Sequence, residues 1–149
     1  MSFSQGMKLL DMMPTGYNPE YARSLFTALG EKGRDAYLYQ QIPVDLIYPF
    51  LFAISSCLVL AYFLNQLKKL EGALFYLCFI PIFSGIFDYC ENIGIISMLT
   101  NYPNNSDLSI STTSLFSLMK STSTICYFSI LIILLITLGF KKLLTKSSH

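Results

Sequence analysis

The sequence predicts an all-α protein: an integral membrane helical bundle of three spanning helices plus an N-terminal amphipathic, interfacial helix. Three observations carry that prediction. The chain of 149 residues is 53% hydrophobic and only 13% charged, whereas a soluble domain carries about a quarter charged residues. Its mean hydropathy is +0.52. Three apolar stretches each reach or exceed the ~20 residues that a spanning helix needs. The net charge of +1, without a dense basic cluster, gives nucleic acid no footing.

Residues 1–41 read as an N-terminal extramembrane segment. Its opening, MSFSQGMKLL, lacks the basic start, apolar stretch and small-residue cleavage site of a signal peptide. Its clearest element is NPEYARSLFTALG, with Asn18 as N-cap, Pro19 at the first helical position, Glu20 in the first turn and Gly30 where the helix stops. Tyr21, Ala22, Leu25 and Leu29 share one face and Glu20, Arg23 and Thr27 lie away from it, which predicts a helix resting on the membrane surface.

Residues 42–140 hold the three-span bundle, with spans expected over 42–67, 72–98 and 111–140, and residues 141–149 form a basic tail. Lys68 and Lys69 lie in the first connection, Lys141, Lys142 and Lys146 follow the last span, and the connection over 100–107 has no basic residue. The positive-inside rule then puts the first connection and the C-terminus in the cytoplasm and the N-terminus outside. The pattern does not distinguish a bacterial inner membrane from a eukaryotic organelle membrane. An outside loop makes Asn104-Asn105-Ser106 a formal glycosylation sequon. Pro49 and Pro81 are expected to kink their spans, and Gly85 and Gly94 to let helices approach closely. Cys57, Cys78, Cys90 and Cys126 sit in apolar stretches without C-x-x-C spacing and read as buried small apolar residues.

The stretch SGIFDYCENIGI places Asp88, Glu91 and Asn92 inside the second span. Helical spacing lines up Pro81, Ser84, Gly85, Asp88, Glu91, Asn92 and Ile95 on one stripe, leaving Phe79, Phe83, Phe87, Cys90 and Ile93 opposite. The third span has a matching stripe of Thr113, Ser117, Lys120, Ser121 and Thr124. At 1.5 Å per residue, Glu91 and Lys120 both fall roughly 9 to 14 Å below the outer boundary. A charge at the bilayer centre costs about 2.5 to 3.5 kcal/mol, so the two are expected to meet. Asp45, read as a helix-start residue after Pro43, and Tyr48 one turn on border the same polar pocket, which opens toward the outer leaflet.

The candidate polar site is therefore Asp45, Tyr48, Ser84, Asp88, Glu91, Asn92, Ser117 and Lys120. Its chemistry stays open at this level. The Glu91–Lys120 pair serves helix register or function, and Asp88 with Asn92 serves interhelical hydrogen bonding. Ser117-Leu118-Met119-Lys120 fits S-x-x-K, with the lysine as base to the serine, and Asp88 and Glu91 form a pair able to share a proton. Three functions fit: binding of a lipid or small amphipathic molecule or docking in a membrane complex; a membrane enzyme doing acid/base chemistry or hydrolysis on a lipid-like substrate; or a subunit of a proton-coupled transporter, which with three spans needs an oligomer. The expected partners are membrane lipids, with a homo-oligomer or larger complex as the assembly. No cofactor and no metal site are expected, because His149 is the sole histidine and the last residue and the carboxylates lack further ligands.

Three groups of residues also resemble a known pattern: Gly30, Gly33, Arg34 and Tyr37 as G-x-x-G-R-x-x-Y; Asp45 and Pro49 as D-x-x-x-P; Asp88, Glu91 and Asn92 as D-x-x-E-N. With the Ser/Thr-rich run around Lys120, they make the chain after Pro14 similar to a family of small, bacterial-type polytopic membrane proteins. The resemblance implies a helical membrane bundle and attaches no activity to it. It also implies that relatives carry one more span ahead of the region matching LLDMMPTGYNPEYARSL, which this chain would lack.

Overall fold

A computed structural model of the chain describes residues 4–146, with side chains through Leu144. The tail residues Ser147, Ser148 and His149 lie outside the described residues. Among the described residues the protein is helical, without strands. A 3₁₀ turn over Leu10–Met12 precedes α1 (Pro19–Ala36), which runs through a π-helical turn (Tyr37–Gln41) into α2 (Ile42–Asp45) and then α3 (Tyr48–Gln66). A 3₁₀ segment (Ala73–Phe79) leads into α4 (Ile80–Thr100), and α5 (Asp107–Lys146) closes the chain.

α1 begins as its caps require: Asn18 accepts from the Tyr21 N–H at 2.8 Å, and Pro19 fills the first turn. Gly30, at φ 62° and ψ −176°, ends the first stretch and a second helical stretch resumes after it. The apolar face does not meet a surface. Ala22, Leu25, Phe26 and Leu29 are buried against Ile95, Met98 and Leu99 of α4 and Ile110 of α5, each large side chain contributing about 1.5 to 3 kcal/mol. This corrects the expectation of a helix resting its apolar side on the membrane: the bundle ends offer that side a protein partner. The loop after α4 is fastened to the same helix by Arg23–Asp107 at 2.6 Å and by Arg34 stacked 4.2 Å over the Tyr102 ring.

Three helical stretches are long and apolar enough to cross a membrane: Pro19–Gln66, Ala73–Thr100 and Asp107–Leu144. Their outer faces expose large apolar side chains, among them Leu51, Leu58, Phe83, Ile93, Ile125 and Ile133, more than a water-facing surface carries. At the far end Leu60 and Leu64 of α3, Cys78, and Tyr127 and Leu134 of α5 form a second core.

Close approach holds the helices together. A Cβ on Gly85 would sit 3.1 Å from the Pro49 carbonyl oxygen, and one on Gly94 would sit 2.2 Å from Thr113 Oγ1, so both glycines are required by contact. Pro49 and Pro81 do not kink helix interiors. Each lies in the first turn of its helix, where a missing N–H breaks no bond within that helix.

Candidate functional site

Four stretches converge on one region. α4 brings Ser84, Asp88, Glu91 and Asn92; α5 brings Ser117, Lys120, Ser121 and Thr124; α2 and α3 bring Asp45, Tyr48 and Phe52; and the N-terminal turn brings Asp11, Met12 and Pro14. On α4 the stripe read from spacing is inward: Pro81, Ser84, Gly85, Glu91, Asn92 and Ile95 are buried, and Phe79, Phe83 and Ile93 opposite are exposed.

Lys120 is the electrostatic centre. Its Nζ pairs with Glu91 Oε2 and lies 3.3 Å from Asp88 Oδ1. The Glu91 side chain is 0% exposed, against 18% for Lys120 and 13% for Asp88, so one ammonium joins a dry carboxylate to one at a cavity wall. Ser117 Oγ donates to Glu91 Oε1. The serine proton therefore points at a carboxylate and the lysine is committed to two carboxylates. The S-x-x-K arrangement, which needs a free amine facing the serine, is not formed. Ser84 Oγ and Thr124 Oγ1 are 2.7 Å apart, and Thr124 donates to the Lys120 carbonyl at 2.9 Å, which ties α4 to α5 one turn further along.

Proline chemistry links the other motifs. Pro49 has no N–H, so the carbonyl of Asp45, four residues earlier, lacks its helical donor. Asn92 Nδ2 lies 3.4 Å from that oxygen and 3.3 Å from Asp88 Oδ1. Tyr89 Oη donates to the next carbonyl, Leu46 O, at 2.9 Å. One buried amide thus holds D-x-x-x-P against D-x-x-E-N. Its own Oδ1 accepts no hydrogen bond among the described residues. Asp45 is not the helix-start residue that Pro43 suggested. The chain is already helical through residues 37–45, and Asp45 ends α2 while accepting from Gln41 Nε2 at 3.0 and 3.2 Å.

Asp11 is the residue the sequence reading missed. Tyr37 Oη donates to Asp11 Oδ1, and Asp11 lines the same cavity as Asp45. Further along, the Tyr17 N–H donates to Ser114 Oγ at 2.7 Å, so the N-terminal segment is held on both sides of Pro14, to Tyr37 before it and to α5 after it. The signal for Asp11 in the sequence was faint: an acid between Leu10 and Met12 in a stretch without periodicity.

Between these elements lies a cavity of about 440 Å³, inside the range of roughly 300 to 1,000 Å³ typical of small-molecule sites. Asp11, Asp45, Asp88 and Lys120 form its charged wall, and Met12, Pro14, Tyr48, Phe52 and Ile125 its apolar one. Of the candidate residues, Asp45, Tyr48, Ser84, Asp88 and Lys120 line it directly, while Glu91, Asn92 and Ser117 stand buried behind them. Among the described residues no three His, Cys, Asp or Glu side chains converge as a metal ion requires.

Fold and site together define a small helical protein with three helices long and apolar enough to cross a membrane and a charged cavity between its helices. No family model, curated protein or solved structure matches the chain.

Proposed function

We propose that the protein is an integral membrane protein whose cavity binds a lipid or small amphipathic molecule. One observation carries the reading: a cavity of ligand size has charged groups on one wall and exposed apolar side chains, Met12 and Ile125, at its rim. Such a wall complements a molecule with a polar head and an apolar body. In this reading α1 caps the outer end of the bundle, and Lys68, Lys69 and Lys141 gather at the cytoplasmic end, where Lys141 Nζ reaches the Gln66 carbonyl at 3.5 Å. On its motifs we place the chain beside the small polytopic membrane proteins it resembles.

Thermal unfolding in lipid nanodiscs tests the binding. A molecule that binds the folded state alone stabilises it by about 2.7 kcal/mol at 100 times its Kd. Amphiphiles that raise the melting temperature of the wild type should leave Ser121→Trp, which fills the cavity, unmoved. Equal shifts in both proteins would assign the effect to the outer surface and end the proposal. A second reading, acid–base catalysis on a lipid-like substrate, draws on the carboxyls of Asp11, Asp45 and Asp88 in one cavity lining, groups of the kind that carry general acid–base chemistry. Recovery of a bound amphiphile chemically unchanged after long incubation counts against it.

A further inference from the structure

The cavity's charged wall is acidic on balance. Three carboxylates line it, Asp11, Asp45 and Asp88, against one lining ammonium, Lys120, which is committed to Asp88 and to Glu91 buried behind the wall. The hydroxyls of Ser84 and Thr124 are committed to each other and to the Lys120 carbonyl. Arg34, the nearest arginine in sequence, is held away by the Phe26 carbonyl at 3.0 Å and by the Tyr102 ring. The Asp11 and Asp45 carboxyls, which accept from Tyr37 and Gln41, keep further lone pairs, and the hydroxyls of Tyr48 and Ser121 line the cavity beside them; behind the wall Asn92 Oδ1 is fully buried and unpartnered on the amide that joins Asp45 to Asp88. A buried acceptor without a donor costs about 1 to 3 kcal/mol.

The same lining includes an aromatic surface. Tyr48 and Phe52 both line the cavity and stack at 5.8 Å with an interplanar angle of 21°. A ring face attracts a cation, and rings and carboxylates in one cavity are the environment an organic ammonium requires. Among the described residues no three His, Cys, Asp or Glu side chains converge as a metal cation would need.

We infer that the cavity selects amphiphiles with an ammonium head, the head lying between Asp11, Asp45 and the Tyr48–Phe52 wall and the tail against Met12 and Ile125. This rests on the proposed binding function and names its ligand class. The same head chemistry comes from an ethanolamine lipid or from a free long-chain amine.

The experiment uses three probes of one tail length, octylamine, octanol and octanoate, with the full chain in phosphatidylglycerol nanodiscs and thermal unfolding as readout. Octylamine should stabilise the protein at concentrations at least tenfold below octanol, and octanoate should not stabilise it. Asp45→Asn should weaken octylamine at least tenfold. Because that variant disturbs a buried contact, Tyr48→Leu at an exposed position serves as the second: it should weaken octylamine roughly two- to fivefold and leave octanol unchanged. Nanodiscs containing phosphatidylethanolamine identify the source: competition with octylamine supports the lipid headgroup, and octylamine binding without competition supports a free amine. Equal stabilisation by all three probes, abolished by Ser121→Trp, overturns the ammonium selection and keeps an amphiphile cavity. Absence of stabilisation by any probe overturns both.

Discussion

At the scale of single residues, Lys120 is a hub and not half of a pair. Glu91→Gln leaves the ammonium matched by Asp88, whereas Lys120→Met strands two carboxylates, one of them fully buried. Breaking a buried pair costs about 3 to 5 kcal/mol, so Lys120→Met should be the more destabilising of the two. The double variant should recover part of the loss, and Asp88→Asn added to it should recover more. Additive losses in thermal unfolding would refute the coupling.

At the scale of elements, the first turn of α3 depends on a side chain from α4. Asn92→Leu leaves the Asp45 carbonyl without a donor and should cost about 1 to 3 kcal/mol. Pro49→Ala returns an N–H four residues after that carbonyl. The combination of the two should then cost less than the sum of the single changes, and a sum that is strictly additive in a denaturant or thermal cycle would rule out the carbonyl as the shared partner. Much of this element pairing was legible in the sequence. Helical spacing on α4 and α5 identified the inward stripes, and matching depth brought Glu91 to Lys120. The role of Pro49 was not legible, because a proline in an apolar run reads equally as a kink or a first-turn residue until the preceding backbone is known. Asp45 was misread for the same reason: Pro43 marks a helix start only if the chain before it is not already helical. Asp11 was out of reach, since an irregular strap has no period and its partners Tyr37 and Ser114 region lie far along the chain.

At the scale of the whole molecule, the two ends differ in charge and in covering. α1 and the loop over 100–107 close one end, while Lys68 and Lys69 stand exposed at the other. Single cysteines at Asn104 and Lys69, both exposed, in a background without the four native cysteines, test the orientation. An impermeant maleimide should label position 104 on intact cells or oriented vesicles and position 69 only after permeabilisation. The reverse pattern would invert the topology and place the cavity nearer the cytoplasmic leaflet.

The Lys120 hub also has a consequence for how the chain is made. In the proposed membrane setting, synthesis delivers Asp88 and Glu91 to a bilayer before Lys120 exists, and the stretch that carries them is the least apolar of the three, with mean hydropathy 1.7 against 2.1 and 2.3. Two unmatched carboxylates near mid-bilayer would cost about 2.5 to 3.5 kcal/mol each on insertion scales. In that setting the second span is a conditional passenger, held by a residue the ribosome has yet to add. A nascent chain stopped in the loop before Asp107 should leave that span loosely inserted or back in water, and translation through Lys120 should lock it in place.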